Sequence, residues 1–159
     1  MTVLVRPFAL DDAPAVAALA AEFADTLRGL GDNGPHNLTL DAIRRDGFGA
    51  RPAFVGLVAV AAGPPAAIIG YLLYHPGYDA DLAARNLYVI ALYVSAAARL
   101  QGAGRALMSA AARVCRESGG DHLLWTVFIP NPLATNFYLA LGAHTIQDLD
   151  AMVLQAAAL

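Results

Sequence analysis

Lysine is absent from this sequence. All ten basic residues are arginine, which removes Schiff-base catalysis by lysine, the phosphate-gripping lysine of a P-loop NTPase, and kinase chemistry. Charge of either sign is scarce: 14% of residues are charged and 58% hydrophobic, where a typical soluble domain carries about 25% charged residues. So apolar a chain is not intrinsically disordered. Its formal net charge of -3 and pI of about 5.7 provide no basic field for nucleic acid and tolerate a cationic substrate. The single cysteine, Cys115, excludes an internal disulfide and a cysteine-rich zinc site, and suits a reducing cytoplasm. The histidines show no metal-ligand spacing, so no metal is expected.

At 159 residues and 16.6 kDa, the chain 1–159 is expected to form one domain. The uncharged run from Phe54 to Tyr74 is long enough to span a bilayer. Gly63-Pro64-Pro65 at its centre would break such a helix and start a turn. Its flanks, Phe54–Val60 and Ile68–Tyr74, are β-branched and aromatic like buried strands. A hairpin is therefore expected, and no membrane partner. Met1–Pro7 lacks the apolar region and cleavage site of a signal peptide, so the expected location is the cytoplasm.

The remaining pattern alternates strands and helices. Val3–Arg6 reads as a strand. Asp11 or Asp12 caps a helix with Pro14 in its first turn, and the apolar stripe Leu19, Phe23, Leu27 runs to a stop at Gly29. A short helix spans about Thr39–Arg45, and a loop is expected around His75-Pro76-Gly77. A long strand covers Arg85–Val94, and a helix covers Gly102–Glu117, with Ala103, Ala106, Leu107, Ala110, Ala111 and Val114 on one face. His122–Phe128 reads as a strand, Pro132–Leu141 as a helix and Met152–Leu154 as a last strand. This order predicts a mixed α/β fold around one sheet.

The stretch from Leu92 to Leu107 is the most informative. A strand ends, a loop carries Arg99, and Gly102-Ala103-Gly104 opens a helix. Glycine lets backbone approach a ligand, the first-turn amides lack partners, and the helix start adds partial positive charge beside Arg99 and Arg105. That suits a pyrophosphate; equally, a tight turn alone would account for the glycines. A Rossmann fingerprint is excluded because Leu107 stands where its third small residue belongs.

What remains, Arg99-x-x-Gly102-x-Gly104 after a hydrophobic strand, resembles the pyrophosphate loop of the GNAT superfamily of acyl-CoA-dependent N-acyltransferases. The second motif, Asn131-x-x-Ala134-x-x-Phe137-Tyr138-x-x-x-Gly142, is similar to that family's strand–helix element leading to a catalytic tyrosine. Asp46-Gly-Phe-Gly49 and Gly70-Tyr-Leu-Leu-Tyr74 also look like the diamine (spermidine/spermine) acetyltransferase branch. The resemblance implies a central sheet of six to seven strands flanked by about four helices, splayed between strands ending at Val94 and Phe128. It implies acetyl-CoA as co-substrate, an amine acceptor and a homodimer.

Carried onto these positions, it implies that the backbone of Leu92, Tyr93 and Val94 pairs with pantetheine, the Val94 amide polarising the thioester carbonyl as an oxyanion donor. A buried strand would look the same in sequence. Arg99, Leu100, Gln101, Gly102, Ala103, Gly104 and Arg105 would cradle the pyrophosphate. Asn131 and Ala134 would border the pantetheine arm, unless Asn131 only caps its helix. Phe137 would pack that helix on the sheet beside the cofactor. Tyr138 would protonate the departing thiolate: a thiol has a pKa of ~8.5 and a tyrosine ~10. The alternative for Tyr138 is packing.

His36 lies in a glycine-rich loop, where it faces solvent or substrate. His75 reads as an exposed turn residue, and His122, His144 and Cys115 read as structural. No serine has a Gly-x-Ser-x-Gly context. One departure from the diamine branch matters. Its acidic pair falls on Ile90 and Ala91 here, so polyamine specificity does not carry over, and Glu22, Asp25, Asp79 or Asp81 would have to supply a base. The expected function is acetyl transfer from acetyl-CoA to a primary amine. The competing readings are a non-catalytic acyl-CoA-binding module and a structural interaction domain.

Overall fold

The structure, a computed structural model, describes residues 2–63, 66–147 and 149–156. Its elements in chain order are β1 (Val3–Pro7), α1 (Ala13–Gly29), α2 (Leu40–Phe48), β2 (Val55–Ala61), β3 (Ala67–Asp79), β4 (Ala84–Val94), α3 (Ala103–Glu117), β5 (Gly120–Leu124) and α4 (Pro132–Leu139). The five strands form one sheet in sequential order, antiparallel from β1 to β4 and parallel between β4 and β5. The mixed α/β class is as expected, with four α-helices among the described residues.

Apolar alternation along the strands serves two cores. Leu57, Leu72, Leu87 and Val89 pack on α3 through Leu107, Met108 and Ala111. Val58, Tyr71, Leu73 and Tyr93 pack on α1 and α2 through Val16, Leu19 and Ile43. Both faces of the central strands are covered, which is why Phe54–Tyr74 could be uncharged without being a membrane span. No helix among the described residues is long and apolar enough to cross a membrane.

Several expectations are corrected. The sheet has five strands among the described residues, not six to seven. Met152–Leu154 forms no ladder among the described residues and lies exposed. The strand expected to reach Phe128 stops at Leu124, because its partner β4 diverges after the Tyr88–Leu124 pair. His75-Pro76-Gly77 is not a loop but part of β3. Beyond Tyr74 that strand has β4 as its neighbour and no pairing with β2, and proline is tolerated on such an edge. The α2 helix continues past Asp46-Gly47 to Phe48; a Cβ on Gly47 would sit 2.8 Å from the Phe54 ring, so the glycine admits that ring. Asp12 stands at the start of α1 without capping it. Its carboxylate instead accepts from Arg6 at 2.6 and 2.7 Å and from the Ala9 amide at 2.8 Å. The α4 helix ends at Leu139 rather than Leu141. Of the expected Gly63-Pro64-Pro65 turn, Pro64 and Pro65 lie outside the described residues, as does Met1 of the N-terminal segment.

Candidate active site

Divergence of β4 from β5 creates the site. Their ladder runs from Arg85–Gly120 to Tyr88–Leu124 and ends there, while β4 continues to Val94 against β3 alone. The Ser95 amide donates to Ile69 O at 2.9 Å. Antiparallel alternation therefore turns the Tyr93 amide toward β3 and those of Leu92 and Val94 into the gap. Gly70 leaves room for that pairing: a Cβ there would lie 2.8 Å from the Tyr93 carbonyl oxygen. Of the three residues expected to pair with pantetheine, only Leu92 and Val94 offer free amides. Tyr93 enters the site from the other face.

A cavity of about 540 Å³ fills the gap, and it is lined by every residue expected there except Gln101. Gln101 is exposed and donates to Ala97 O at 3.4 Å. On one side the cavity meets the start of α3. Gly102 has φ +87°, a left-handed conformation that glycine adopts without steric cost, and its carbonyl accepts the first helical bond from Ala106 at 2.9 Å. The amides of Ala103, Gly104 and Arg105 consequently have no helical acceptor. Leu100, at φ +62°, projects fully into solvent from the loop. A Cβ on Gly104 would come within 3.1 Å of Phe137 Cζ, so this glycine brings α4 close to the start of α3.

Neither arginine of the loop is free. Arg99 donates through Nε to Val94 O at 3.3 Å and through Nη2 to the Tyr93 hydroxyl at 3.2 Å, with its guanidinium 5.4 Å from the centre of that ring. Arg105 donates to Ala140 O at 3.3 Å. Asn131 caps α4, its Oδ1 accepting from the Ala134 amide at 3.1 Å, and both residues line the cavity as well. Capping and bordering thus coexist. Tyr138 packs against Trp125 at 4.8 Å and Phe137 at 5.2 Å between ring centres. Burial pushes its phenol up to about 12, since the phenolate would lose hydration without gaining a partner.

Sequence reasoning missed the α1 side of the cavity, where Phe23, Thr26 and Leu27 line it, and the segment Trp125–Phe128 after β5. The helical stripe of α1 reads as core, and nothing in it distinguishes a wall from a packing face. Sequence also missed a network on Glu22. Its carboxylate accepts from the Ala96 amide at 2.8 Å, the Tyr93 hydroxyl at 2.9 Å and Ser95 Oγ at 3.3 Å. The Ala96 hydrogen bond foremost holds Glu22 below the usual carboxylate range, with Tyr93, Ser95 and Arg99 adding to it against the cost of burial. Glu22 is thereby a poor base and a good clamp. Of the other carboxylates weighed as bases, Asp25 pairs with Arg28 at 2.8 Å and Asp79 accepts from the Leu82 amide at 2.9 Å. Neither these nor Asp81 lines the cavity, and no Asp, Glu or His among the described residues does. His36 lies off the lining too, with Nε2 3.6 Å from Asp32.

Residues 21–143 match the family model described as the acetyltransferase (GNAT) family. Thialysine N-epsilon-acetyltransferase of Bos taurus is 32% identical over 115 residues, covering 69% of this chain and 67% of the relative. Its counterpart in Sus scrofa is 33% identical over 115 residues, with the same coverage of 69% and 67%. Among solved structures, a ribosomal-protein-alanine N-acetyltransferase from Brucella melitensis biovar Abortus 2308 superposes with a TM-score of 0.73 at 21% identity, covering 97% of this chain and 99% of the other. An integron cassette protein from the mobile metagenome of V. cholerae gives 0.75 at 21% identity, over 98% and 94%. At this identity the two structures speak for the fold alone.

Proposed function

The chain belongs to the GNAT family of acetyltransferases, whose members use acetyl-CoA as co-substrate, and on that premise we propose how its own residues move an acetyl group to an amine. The acceptor is a primary amine of a small molecule or a peptide, and transfer is direct, in a ternary complex. The observation that carries this is the convergence of three features on one cavity: the inward amides of Leu92 and Val94, the open first turn of α3, and the Tyr138 phenol.

In this reading the pantetheine arm extends along Leu92 and Val94 like an added strand, and the amides of Ala103–Arg105 take the pyrophosphate. The amine nitrogen attacks the thioester carbonyl, and the Val94 N–H stabilises the developing oxyanion. The C–S bond breaks, the thiolate leaves beside Tyr138, and the nitrogen gives its extra proton to solvent. Cys115 is buried with its thiol donating to His122 O at 3.2 Å, and it does not line the cavity. It therefore suits no covalent intermediate. With no carboxylate of the described residues in the lining, the amine arrives unprotonated in this reading, which favours acceptors less basic than a lysine side chain at ~10.4, such as peptide N-termini at ~7.7–8.0.

Thiol release from acetyl-CoA across a panel of amines tests the transferase reading. Binding of acetyl-CoA without release from any amine would favour the non-catalytic module instead. We also propose a homodimer in a reducing cytoplasm. Leu149, Met152 and Val153 are 72%, 95% and 88% exposed, and self-association would cover them. Light scattering at micromolar concentration tests the dimer, and a monomer refutes it.

A further inference from the structure

The chemistry of the acceptor can be taken further from the walls of the cavity. Phe23 and Leu27 of α1, Ile90 of β4, and Val127 and Phe128 after β5 contribute hydrocarbon and aromatic surface. The polar groups of the α1 wall are already committed. Thr26 Oγ1 donates to Glu22 O at 3.0 Å, and the Tyr93 hydroxyl donates to Glu22 Oε1 at 2.9 Å. The ionisable groups that line the cavity, among the described residues, are two arginines and two tyrosines. A second cationic centre on the acceptor would leave water here without finding a counter-ion, and an unpaired desolvated charge is among the costliest groups to bury.

We infer that the acceptor is an amine on an apolar, alkyl or aromatic, group with no second cationic centre: the nitrogen meets the thioester and the remainder lies against Phe23, Leu27 and Ile90. This inference rests on the acetyl-transfer reading above. It makes Ile90 a specificity-determining residue. Ile90 is 45% exposed at a bulge in β4 and belongs to neither buried core, so a charged side chain fits there without disturbing the packing.

The test compares pentylamine with cadaverine, the same chain with a second terminal amine, on the full-length protein at saturating acetyl-CoA and one mildly alkaline pH. The two reacting amines are similarly basic, so the comparison isolates the distal charge. Pentylamine is expected to show a kcat/KM at least ~tenfold above cadaverine, the least that an unpaired second charge costs on entry. Ile90→Glu, checked for folding by circular dichroism, is expected to move that ratio roughly tenfold toward cadaverine. Cadaverine turned over as well as pentylamine by the unaltered protein overturns the inference while acetyl transfer stands. Turnover confined to charged acceptors, or a folded Ile90→Glu protein with an unchanged ratio, overturns it likewise. Acetyl-CoA binding with no thiol release from any amine overturns the transferase reading beneath it.

Discussion

Replacing Tyr138 by phenylalanine removes one oxygen and keeps the ring that packs at 4.8 Å from Trp125 and 5.2 Å from Phe137, so the fold is expected to survive. Its phenol lies at about 12, whereas a leaving thiol lies near ~8.5, so complete proton transfer is uphill by roughly 3.5 units, or ~5 kcal/mol. In the proposed mechanism Tyr138 therefore donates a hydrogen bond to the thiolate as the C–S bond breaks, rather than surrendering its proton. A hydrogen bond to a charged partner contributes ~1.5–3 kcal/mol, which sets the expected fall in kcat at roughly ten- to 150-fold. Acetyl-CoA affinity, read by calorimetry, should change little, because the bond strengthens only as charge develops. The unaltered enzyme should gain rate with pH as its amine loses a proton, and show no alkaline decline below pH ~11, where the phenol is still protonated. A decline near pH 9 to 10 that Tyr138→Phe abolishes would contradict the raised value. A Tyr138→Phe kcat within about twofold of the unaltered protein's would remove Tyr138 from the mechanism.

Glu22→Ala should raise the KM for acetyl-CoA ~five- to tenfold with little change in kcat, since it frees the Ala96 amide and the end of β4; Glu22→Gln, which keeps an acceptor, should restore most of it. Equal effects of Ala and Gln would show that charge, not positioning, is what matters. Gly104→Ala brings a Cβ to 3.1 Å from Phe137 and over the open first turn, and should weaken acetyl-CoA binding by roughly a factor of ten in calorimetry. Undiminished affinity in the folded variant would remove this turn from the cofactor site. Arg6 above all holds Asp12 below the usual carboxylate range. The ion pair thus contributes stability above the unfolded carboxylate value of ~3.9 that is lost as pH falls through the lower folded value. Asp12→Asn should cost about 1–2 kcal/mol near neutrality in urea melts, and the difference should shrink in acid; a constant difference down to pH ~2 would refute the assignment.

The elements of the proposed cofactor side were legible in sequence because they are made of backbone. Gly102, Gly104 and the helix signal of Ala103–Val114 specify a conformation, and Asn131 with Tyr138 specifies another at fixed spacing. The proposed acceptor side was not, because Phe23 and Leu27 follow the same periodicity as Leu19, which is buried, and nothing in the sequence separates a wall from a packing face. The contacts of Arg99 were not legible for a related reason: the sequence cannot show that Tyr93 and the Val94 carbonyl lie within its reach. Pro76-Gly77 has the local chemistry of a turn, but long-range pairing with Leu87 and Asn86 overrides it and the expected loop is a strand. The apolar trio Met152–Leu154 has a strand's composition and forms no ladder; composition alone does not make one.

The irregularity at Ile90 divides β4 into two half-strands of opposite phase. Opposite β3, Tyr74 pairs with Val89 and Leu73 with Ala91, leaving Ile90 as the extra residue. Before it, odd-numbered positions Leu87 and Val89 face α3; after it, even-numbered Leu92 and Val94 do, and Ala91 and Tyr93 face α1. Without that one residue, Val89, Ala91, Leu92, Tyr93 and Val94 would alternate without a break opposite Tyr74, Leu73, Leu72, Tyr71 and Gly70, each on the face it now holds. What the extra residue supplies is therefore not the alternation. It supplies a local bend and added twist, and a side chain outside the ladder, just past the point where β4 leaves β5. Ile90 itself, bound to neither phase, is the point on the strand where a new side chain can be written with the least effect on either core.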